Sequence, residues 1–118
     1  MNLEIVTQAL ETREFDFGRF ELFRVGGHTL GIATYEPGWH WSEHIGRRTG
    51  EKLCPVEHLG FVVAGRAAVQ MEDGREVVMK SGDFFAIPPN HDSWVVGDEH
   101  YVSVHVLGAG DYAQEGDR

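Results

Sequence analysis

The sequence has 118 residues, a formal net charge of −9 and a single cysteine. This length accommodates one hydrophobic core, so we expect a single domain over residues 1–118, and an acidic chain lacks the basic face that a nucleic-acid partner needs. One cysteine excludes an intrachain disulfide and, with no secretory signal and no apolar stretch of membrane-spanning length, favours a cytoplasmic protein with no membrane partner.

The first predicted elements lie in the N-terminal third of the chain. The sequence pattern over residues 1–19 predicts an N-terminal strand or a short helix, and residues 3–10 are the segment expected to form it. Residues 20–25 and 29–35 are β-rich runs on either side of Gly26-Gly27, a pair that tight two-residue turns favour. These two runs therefore predict a hairpin.

A polar, charged and glycine-containing stretch over residues 39–55 interrupts the β pattern. It predicts the one long loop of the fold, and long loops in compact domains tend to carry function. The three runs that follow, residues 57–64, 67–71 and 76–79, are separated by short turns. Their spacing predicts a three-stranded meander.

The last third of the chain predicts three more strands, over residues 84–87, 93–96 and 101–107. Short strands with turns at this spacing, and no sustained helical periodicity, predict an all-β jelly roll with its barrel over residues 20–107. We expect eight or nine strands in total. Residues 110–118 are polar and are expected to fray.

Histidine is the most informative residue type in this sequence. There are seven, and His40, His44, His58 and His91 lie in or beside the long loop and the later Pro-Pro-Asn corner. Imidazole is the commonest transition-metal ligand, so rings that converge in the fold would form a metal site. The alternative for each ring is a solvated position at the surface.

The alternation of side chains along residues 57–64 indicates where His58 points. His58 shares one strand face with Gly60 and other small residues, whereas Leu59, Phe61 and Val63 share the opposite face. The small side chains leave room in front of the imidazole for an ion or a ligand. The large apolar ones need a cover of their own, so we expect the lumen on one side and a second sheet or a partner subunit on the other.

Three pairs of residues have the separations found in the two conserved motifs of one family: Gly38 with His44, His58 with Gly65, and Gly82 with Pro88. On these pairs the chain resembles the cupin superfamily over residues 30–107, and it is similar to the small single-domain bacterial cupins of uncharacterised activity. The resemblance implies a double-stranded β-helix, or jelly-roll, barrel. It also implies a metal site in the lumen and a homodimer.

The chain departs from the usual metal-binding pattern of that family. Gly46 stands where a second histidine is usual, and His58 stands where an acid is usual. Ser93 replaces the late histidine, and the nearest imidazole is that of His91, two residues earlier. The metal ligands that the resemblance implies here are therefore His44, His58 and His91.

Other residues near these positions are candidates for additional ligands or for the pocket wall: His40, Cys54, Glu57, Trp39, Trp41, Trp94 and His105. Imidazole ligands suit zinc, iron, nickel, manganese or copper, and a thiolate from Cys54 would favour zinc. The alternatives are a small buried residue without a role for Cys54, core filling for the tryptophans, and a hydrogen-bonded core histidine for His105.

The resemblance leaves the function open between two main alternatives. One is a metal-dependent oxygenase, isomerase or lyase that acts on a small organic molecule, with catalytic residues that the sequence does not identify. The other is a non-enzymatic module that binds or senses a small molecule and has a degraded metal site. A third, a purely structural jelly roll, requires the His58 face to be packed shut.

Overall fold

The computed structural model describes residues 2–112, and these residues form two antiparallel sheets. In chain order the strands are β1 Glu11–Phe15, β2 Gly18–Val25, β3 His28–Tyr35, β4 His58–Ala64, β5 Arg66–Met71, β6 Glu76–Lys80, β7 Phe84–Ile87, β8 His91–Val96 and β9 Tyr101–Leu107. The larger sheet has the order β1-β2-β3-β9-β4-β7, and the smaller has the order β6-β5-β8. The all-β prediction is confirmed.

The hydrophobic core lies between the two sheets. Phe20, Ala33 and Val62 of the larger sheet and Val69 and Val95 of the smaller sheet belong to one buried cluster. These side chains occupy inward positions of their strands, because successive residues of a strand point to opposite faces. The inward faces thus enclose the lumen of a barrel.

The predicted hairpin around Gly26-Gly27 is present as β2 and β3. Val25 pairs with His28, and both glycines have positive φ, at 57° and 80°. Two consecutive positive φ values define the type I′ turn, whose twist matches that of the flanking strands. The two glycines therefore fix the register of this part of the larger sheet.

The predicted meander is wrong at its first connection. β4 pairs with β7 and β9, whereas β5 pairs with β6 and β8, so β4 and β5 belong to different sheets. Gly65, between them, has a φ of 76°, and a Cβ at this position would collide with the backbone carbonyl of His100. The chain changes sheets at this glycine, and only β5 and β6 form a hairpin.

The N-terminal strand begins later than the segment we favoured. Residues 3–10 form neither a helix nor a strand, and β1 starts at Glu11. Leu3, Ile5 and Leu10 are exposed, so the segment buries too little apolar surface to stabilise a regular element. At the other end, residues 113–118 of the tail expected to fray lie outside the described residues.

The long loop contains a π-helical turn, Ser42–Gly46, followed by a helical turn, Arg47–Thr49. Two isolated bridges join the loop to β8, one between His40 and Trp94 and one between Cys54 and His91. Both ends of the loop are therefore held against the smaller sheet. This arrangement brings a loop residue, Cys54, into the interior.

Candidate functional site

The polar side chains buried among residues 2–112 are concentrated in the barrel lumen. His58 and His91 are the first residues of β4 and β8, and Ser103 and His105 occupy inward positions of β9. They line a cavity of about 30 Å³. The full lining is Tyr35, His58, Ala67, Val69, Met79, Phe85, Ile87, His91, Ser93, Tyr101, Ser103, His105 and Tyr112. A volume of this size accommodates an ion or one or two water molecules.

Three residues bring potential metal-ligating atoms together at one end of this lumen. The donor atoms of Cys54, His58 and His91 all lie within 4.8 Å of one another, and the three side chains are buried. Cys54 Sγ lies 3.6 Å from His58 Nε2. The Cys54 N–H donates to the His91 carbonyl oxygen at 2.7 Å. This bond holds the Cys54 backbone where its thiol lies beside the His58 ring.

The hydrogen bonds of the two imidazoles define which ring nitrogens are available. His91 Nδ1 lies 2.8 Å from the Pro88 carbonyl oxygen, which can only accept, so Nδ1 carries the proton and Nε2 keeps its lone pair. His58 Nδ1 is buried without a hydrogen-bond partner. Buried polar atoms are nearly always paired in folded proteins, so His58 Nδ1 and the equally unpaired His105 Nδ1 each lack a partner that folded proteins usually supply.

Burial keeps the lumen imidazoles neutral. Desolvation, followed by the neighbouring rings of His105 and His91, lowers the pKa of His58 to about 2. Desolvation lowers the pKa of His105 to about 4, and it lowers the pKa of His91 against the opposing effect of the Pro88 carbonyl. Neutral imidazole is the form that ligates metals, so these rings need not lose a proton to bind one.

Three tyrosines also line the lumen beside the histidines. The hydroxyl groups of Tyr35 and Tyr112 are hydrogen-bonded at 2.6 Å, and the Tyr112 ring packs on the His58 ring at a centroid distance of 4.9 Å. Burial raises the pKa of Tyr101 to about 12 and raises that of Tyr35 and Tyr112 well above the usual value. All three phenols therefore remain protonated and can donate hydrogen bonds.

Tyr112 lines the lumen from a short segment after β9. A 3₁₀ turn, Ala109–Asp111, places it inside the barrel, where it is buried. Arg13 of β1 donates to the carbonyl oxygens of Tyr112 and Gly110, at 2.5 and 3.2 Å. Tyr112 belongs to residues 110–118, which we expected to fray, and its burial shows that the ordered part of the chain extends at least this far.

His44 does not join the group formed by Cys54, His58 and His91. Its Nδ1 accepts the His40 N–H at 3.0 Å, and its ring packs on Phe17 at a centroid distance of 4.7 Å. The π-helical turn that begins at Ser42 directs the side chain back to the start of the turn. In the structure His44 thus lies apart from His58 and His91, and Cys54 is the third residue of the group.

His40 also lies outside the lumen, in a separate contact between the loop and β8. Its Nε2 lies 2.8 Å from Asp92 Oδ2, and its ring stacks on Trp94. Asp92 Oδ1 accepts the backbone N–H groups of Ser42 and Ser93, at 3.0 and 2.9 Å. These bonds hold the loop on the barrel and do not contribute to the cluster.

The remaining sequence candidates divide between the core and the surface. Trp39 and Trp41 are buried in the core, and Trp39 stacks on Tyr35 with centroids 3.8 Å apart, but neither lines the described cavity. Glu57 is exposed. His105 does line the lumen, and Ser103 Oγ lies 2.9 Å from its Nε2.

The sequence interpretation missed the three tyrosines and Ser103. For β9 a signal was available, because Tyr101, Ser103 and His105 alternate along one strand and must share a face. Tyr35 lies similarly on the face of β3 that carries Gly31 and Ala33.

Among models of known protein families, the one described as the cupin domain matches residues 31–107 of this chain. The chain belongs to the cupin family. The resemblance seen in the sequence is confirmed, and so is the jelly-roll barrel.

Solved cupin-like structures are similar to this cupin at low sequence identity. A protein of unknown function from Rhizobium leguminosarum is 20% identical, with a TM-score of 0.58 over 77% of this chain and 80% of that one. A cupin-like protein from Thermotoga maritima is 18% identical, with a TM-score of 0.57 over 90% and 82%. These identities show a shared fold alone.

A third similar structure is the formate complex of an oxalate decarboxylase from Lactobacillus farciminis. It is 21% identical with a TM-score of 0.60, and the match covers 88% of this cupin but 32% of the decarboxylase. The cupin thus spans about a third of that enzyme. No curated protein matched the chain in sequence. No helix in residues 2–112 is long and apolar enough to cross a membrane.

Proposed function

We propose that this cupin binds a divalent transition metal through Cys54, His58 and His91 and uses the site to act on a small organic molecule. The observation that carries the proposal is the convergence of three buried donor atoms within 4.8 Å of one another. Three protein ligands with one open position are typical of catalytic rather than structural metal sites. The reaction class would be that of an oxygenase, an isomerase or a lyase.

The residues present fit a metal in three respects. His91 is fixed in the tautomer that leaves Nε2 free, His58 Nε2 lies 3.6 Å from the Cys54 sulfur, and Cys54 adds a sulfur donor. Among zinc, iron, nickel, manganese and copper, a set of two imidazoles and one thiolate favours zinc and disfavours manganese. A bound ion would supply Lewis acidity toward an oxygen atom of the substrate or of water.

The chain's own groups set the size and polarity of the substrate. The hydroxyl groups of Tyr101 and Tyr112 stay protonated and are available as donors to an oxygen atom of a bound molecule. The cavity of about 30 Å³ leaves space for only a few non-hydrogen atoms while Tyr112 is in place. A larger molecule requires the Tyr112 segment to move.

The second candidate function is a non-enzymatic module that binds or senses a small molecule. The position of Tyr112 in the lumen wall, on a segment that follows the last strand, favours it, because displacement of this segment would report occupancy at the barrel surface. A chain that binds a small molecule but no metal would fit this function and not the first.

Several predictions from the sequence stay predictions. These are the cytoplasmic location, the single domain over residues 1–118, the lack of a nucleic-acid partner and the homodimer. The net charge of −9 supports the lack of a nucleic-acid partner, because a phosphate backbone repels an acidic surface.

Metal analysis of the chain purified without a histidine tag tests the metal proposal. We expect one metal ion per chain in the wild type and at least about 10-fold less in Cys54→Ser and His58→Ala. His44→Gln is the matched control, since His44 lies outside the cluster, and it should retain the wild-type content. A wild type that binds no metal after incubation with each of the five candidate ions contradicts the proposal. Equal loss in His44→Gln would contradict the ligand assignment.

A further inference from the structure

The barrel has a seam between β6 and β7. These strands follow each other in the chain, but β6 is an edge strand of the smaller sheet and β7 is an edge strand of the larger one. In residues 2–112, β6 pairs with β5 alone and β7 pairs with β4 alone. No ladder of backbone hydrogen bonds between these strands therefore closes the gap, which we call the β6–β7 seam.

The inward positions of both strands at the seam carry apolar side chains. Met79 of β6 and Phe85 and Ile87 of β7 line the lumen cavity. Val77 lies two residues before Met79 and so shares its strand face, and it pairs in register with Val69, which also lines the cavity. The lumen is therefore apolar where it reaches the seam.

The seam is closed at one end and open at the other. At the turn between the strands, the Gly82 N–H donates to the Val62 carbonyl oxygen and the Val62 N–H donates to that of Asp83, both at 2.9 Å. Met79, near this turn, is 8% exposed, whereas Val77 is 61% exposed although it lies on the inward face. Apolar surface gains free energy when it leaves water, so Val77 marks a position that lacks a cover among residues 2–112.

The open end of the seam lies at the level of the potential metal ligands. On the larger sheet, Ile87 pairs in register with His58. Across the smaller sheet, Val77 is in register with Ser93, which lies two residues from His91. Neighbouring strands are about 4.8 Å apart, so β6 lies about 10 Å from β8. Apolar walls with a few convergent polar groups at one end are the usual composition of a small-molecule site.

We infer that the β6–β7 seam binds the apolar part of a small molecule whose oxygen-bearing end lies at Cys54, His58 and His91. The inference rests on the proposed function for that end, and it adds the class of molecule: a short aliphatic chain that ends in an oxygen function. The cavity of about 30 Å³ holds the oxygen-bearing end. The aliphatic chain lies in the seam, covers Val77 and leaves Tyr112 in place.

An NMR titration of the full, metal-free chain with straight-chain primary alcohols, from ethanol to 1-hexanol, tests the inference. The amide signals of Val77 and Ile87 should shift, and these shifts give the dissociation constant of each alcohol. Each added methylene that enters the seam should lower this constant about threefold. Val77→Asp should reduce the factor to below about 1.5, because a carboxylate at the open end loses water when the chain covers it.

Val78→Asp is the matched control. Val78 is the next residue of β6, is 52% exposed and points to the opposite face of the strand, so its variant carries the same charge outside the seam. It should keep the threefold factor of the wild type. Circular dichroism checks that both variants are folded, and Val77→Thr provides a milder variant if Val77→Asp is not.

Each other outcome overturns a defined part. Dissociation constants that do not depend on chain length, or the absence of binding, overturn the seam as a binding site. The same conclusion follows if Val77→Asp keeps the threefold factor or if Val78→Asp loses it equally. Metal content, measured separately, reports on the proposed function: a chain that binds no metal but keeps the threefold factor overturns the metal proposal and leaves the seam standing.

Discussion

The two faces of the larger sheet depart from the polarity that such sheets usually have at β4 and β9, which bury polar side chains and expose apolar ones. Antiparallel sheets commonly bury an apolar face and expose a polar one. Here the inward positions include His58, Ser103 and His105, whereas Phe84 and Val63 are among the exposed outward residues. The difference is visible within β4, where the burial alternates from one residue to the next.

Folding alone explains neither the buried imidazoles nor the exposed apolar side chains of this sheet. Buried imidazoles cost free energy unless a partner satisfies them, and an exposed apolar face gains nothing from water. Both costs fall if the lumen holds a ligand and the outer face holds a partner. The larger sheet would then separate two binding surfaces.

The largest expected effect comes from placing Asp at either of two adjacent positions that point to opposite faces of the larger sheet. Val62 is 1% exposed in the core and Val63 is 49% exposed. Val62→Asp buries an unpaired charge and should lower the free energy of unfolding by more than about 4 kcal/mol, whereas Val63→Asp should change it by less than about 1 kcal/mol. Urea denaturation at low protein concentration measures both. Similar losses in the two variants would remove the distinction between the faces.

The next effect concerns the packing of Tyr112 in the lumen wall. Tyr112→Ala removes a buried ring and should lower the free energy of unfolding by about 3–5 kcal/mol. Tyr112→Phe removes only the bond to the Tyr35 hydroxyl and should lower it by about 1 kcal/mol. Urea denaturation of both variants decides. A near-neutral Tyr112→Ala would mean that this residue does not seal the barrel.

A pH titration compares the buried interior with the exposed surface, because all three tyrosines of the chain are buried. The unfolded chain ionises tyrosine near pH 10, whereas burial raises the pKa of Tyr101 to about 12. The stabilising contribution is therefore complete below pH 10 and is lost as pH rises from 10 toward 12, by about 1.4 kcal/mol per pH unit for each such tyrosine.

Phenolate absorbance and urea denaturation between about pH 9 and pH 11 measure this dependence. We expect little phenolate until the fold is lost and then the appearance of all three in one step. Gradual ionisation near pH 10 with an intact fold would show that the lumen admits water freely.

The smallest effect concerns the loop that carries Cys54 to the lumen. Asp92→Asn keeps an acceptor for the Ser42 N–H but loses the charged contact with His40, so we expect a loss of about 1 kcal/mol and faster proteolysis within the loop. Asp73→Asn is the control, since Asp73 pairs with Arg75 on the surface, and it should have no measurable effect. Equal protease resistance in the two variants would argue against a role for Asp92 in holding the loop.

Local features of the sequence predicted the strands well. Residues 84–87 were predicted as a strand and are β7, and the Gly26-Gly27 hairpin has the expected turn. Alternation and turn chemistry depend on near neighbours, so they can be recognised without the fold. The meander failed at Gly65 because strand pairing depends on distant residues, and the positive φ of that glycine moves the chain to the other sheet.

The candidate site was predictable only in part, for the same physical reason. Strand parity identified the inward face of His58, but family spacing suggested His44, whose orientation is set by a π-helical turn that the spacing does not encode. Cys54 was a candidate with a structural alternative, because its position depends on a bridge to His91 in a distant strand. Tyr112 follows β9 in a polar stretch, so composition pointed away from its burial.

Cys54 also makes the lumen directly observable. It is the only cysteine of the chain, and its side chain is buried beside His58. A thiol-reactive dye can therefore label the native chain only while the barrel is transiently open, and the labelling rate measures how often it opens. Any molecule that occupies the interior should slow the reaction, which allows candidate ligands to be screened on the unaltered polypeptide.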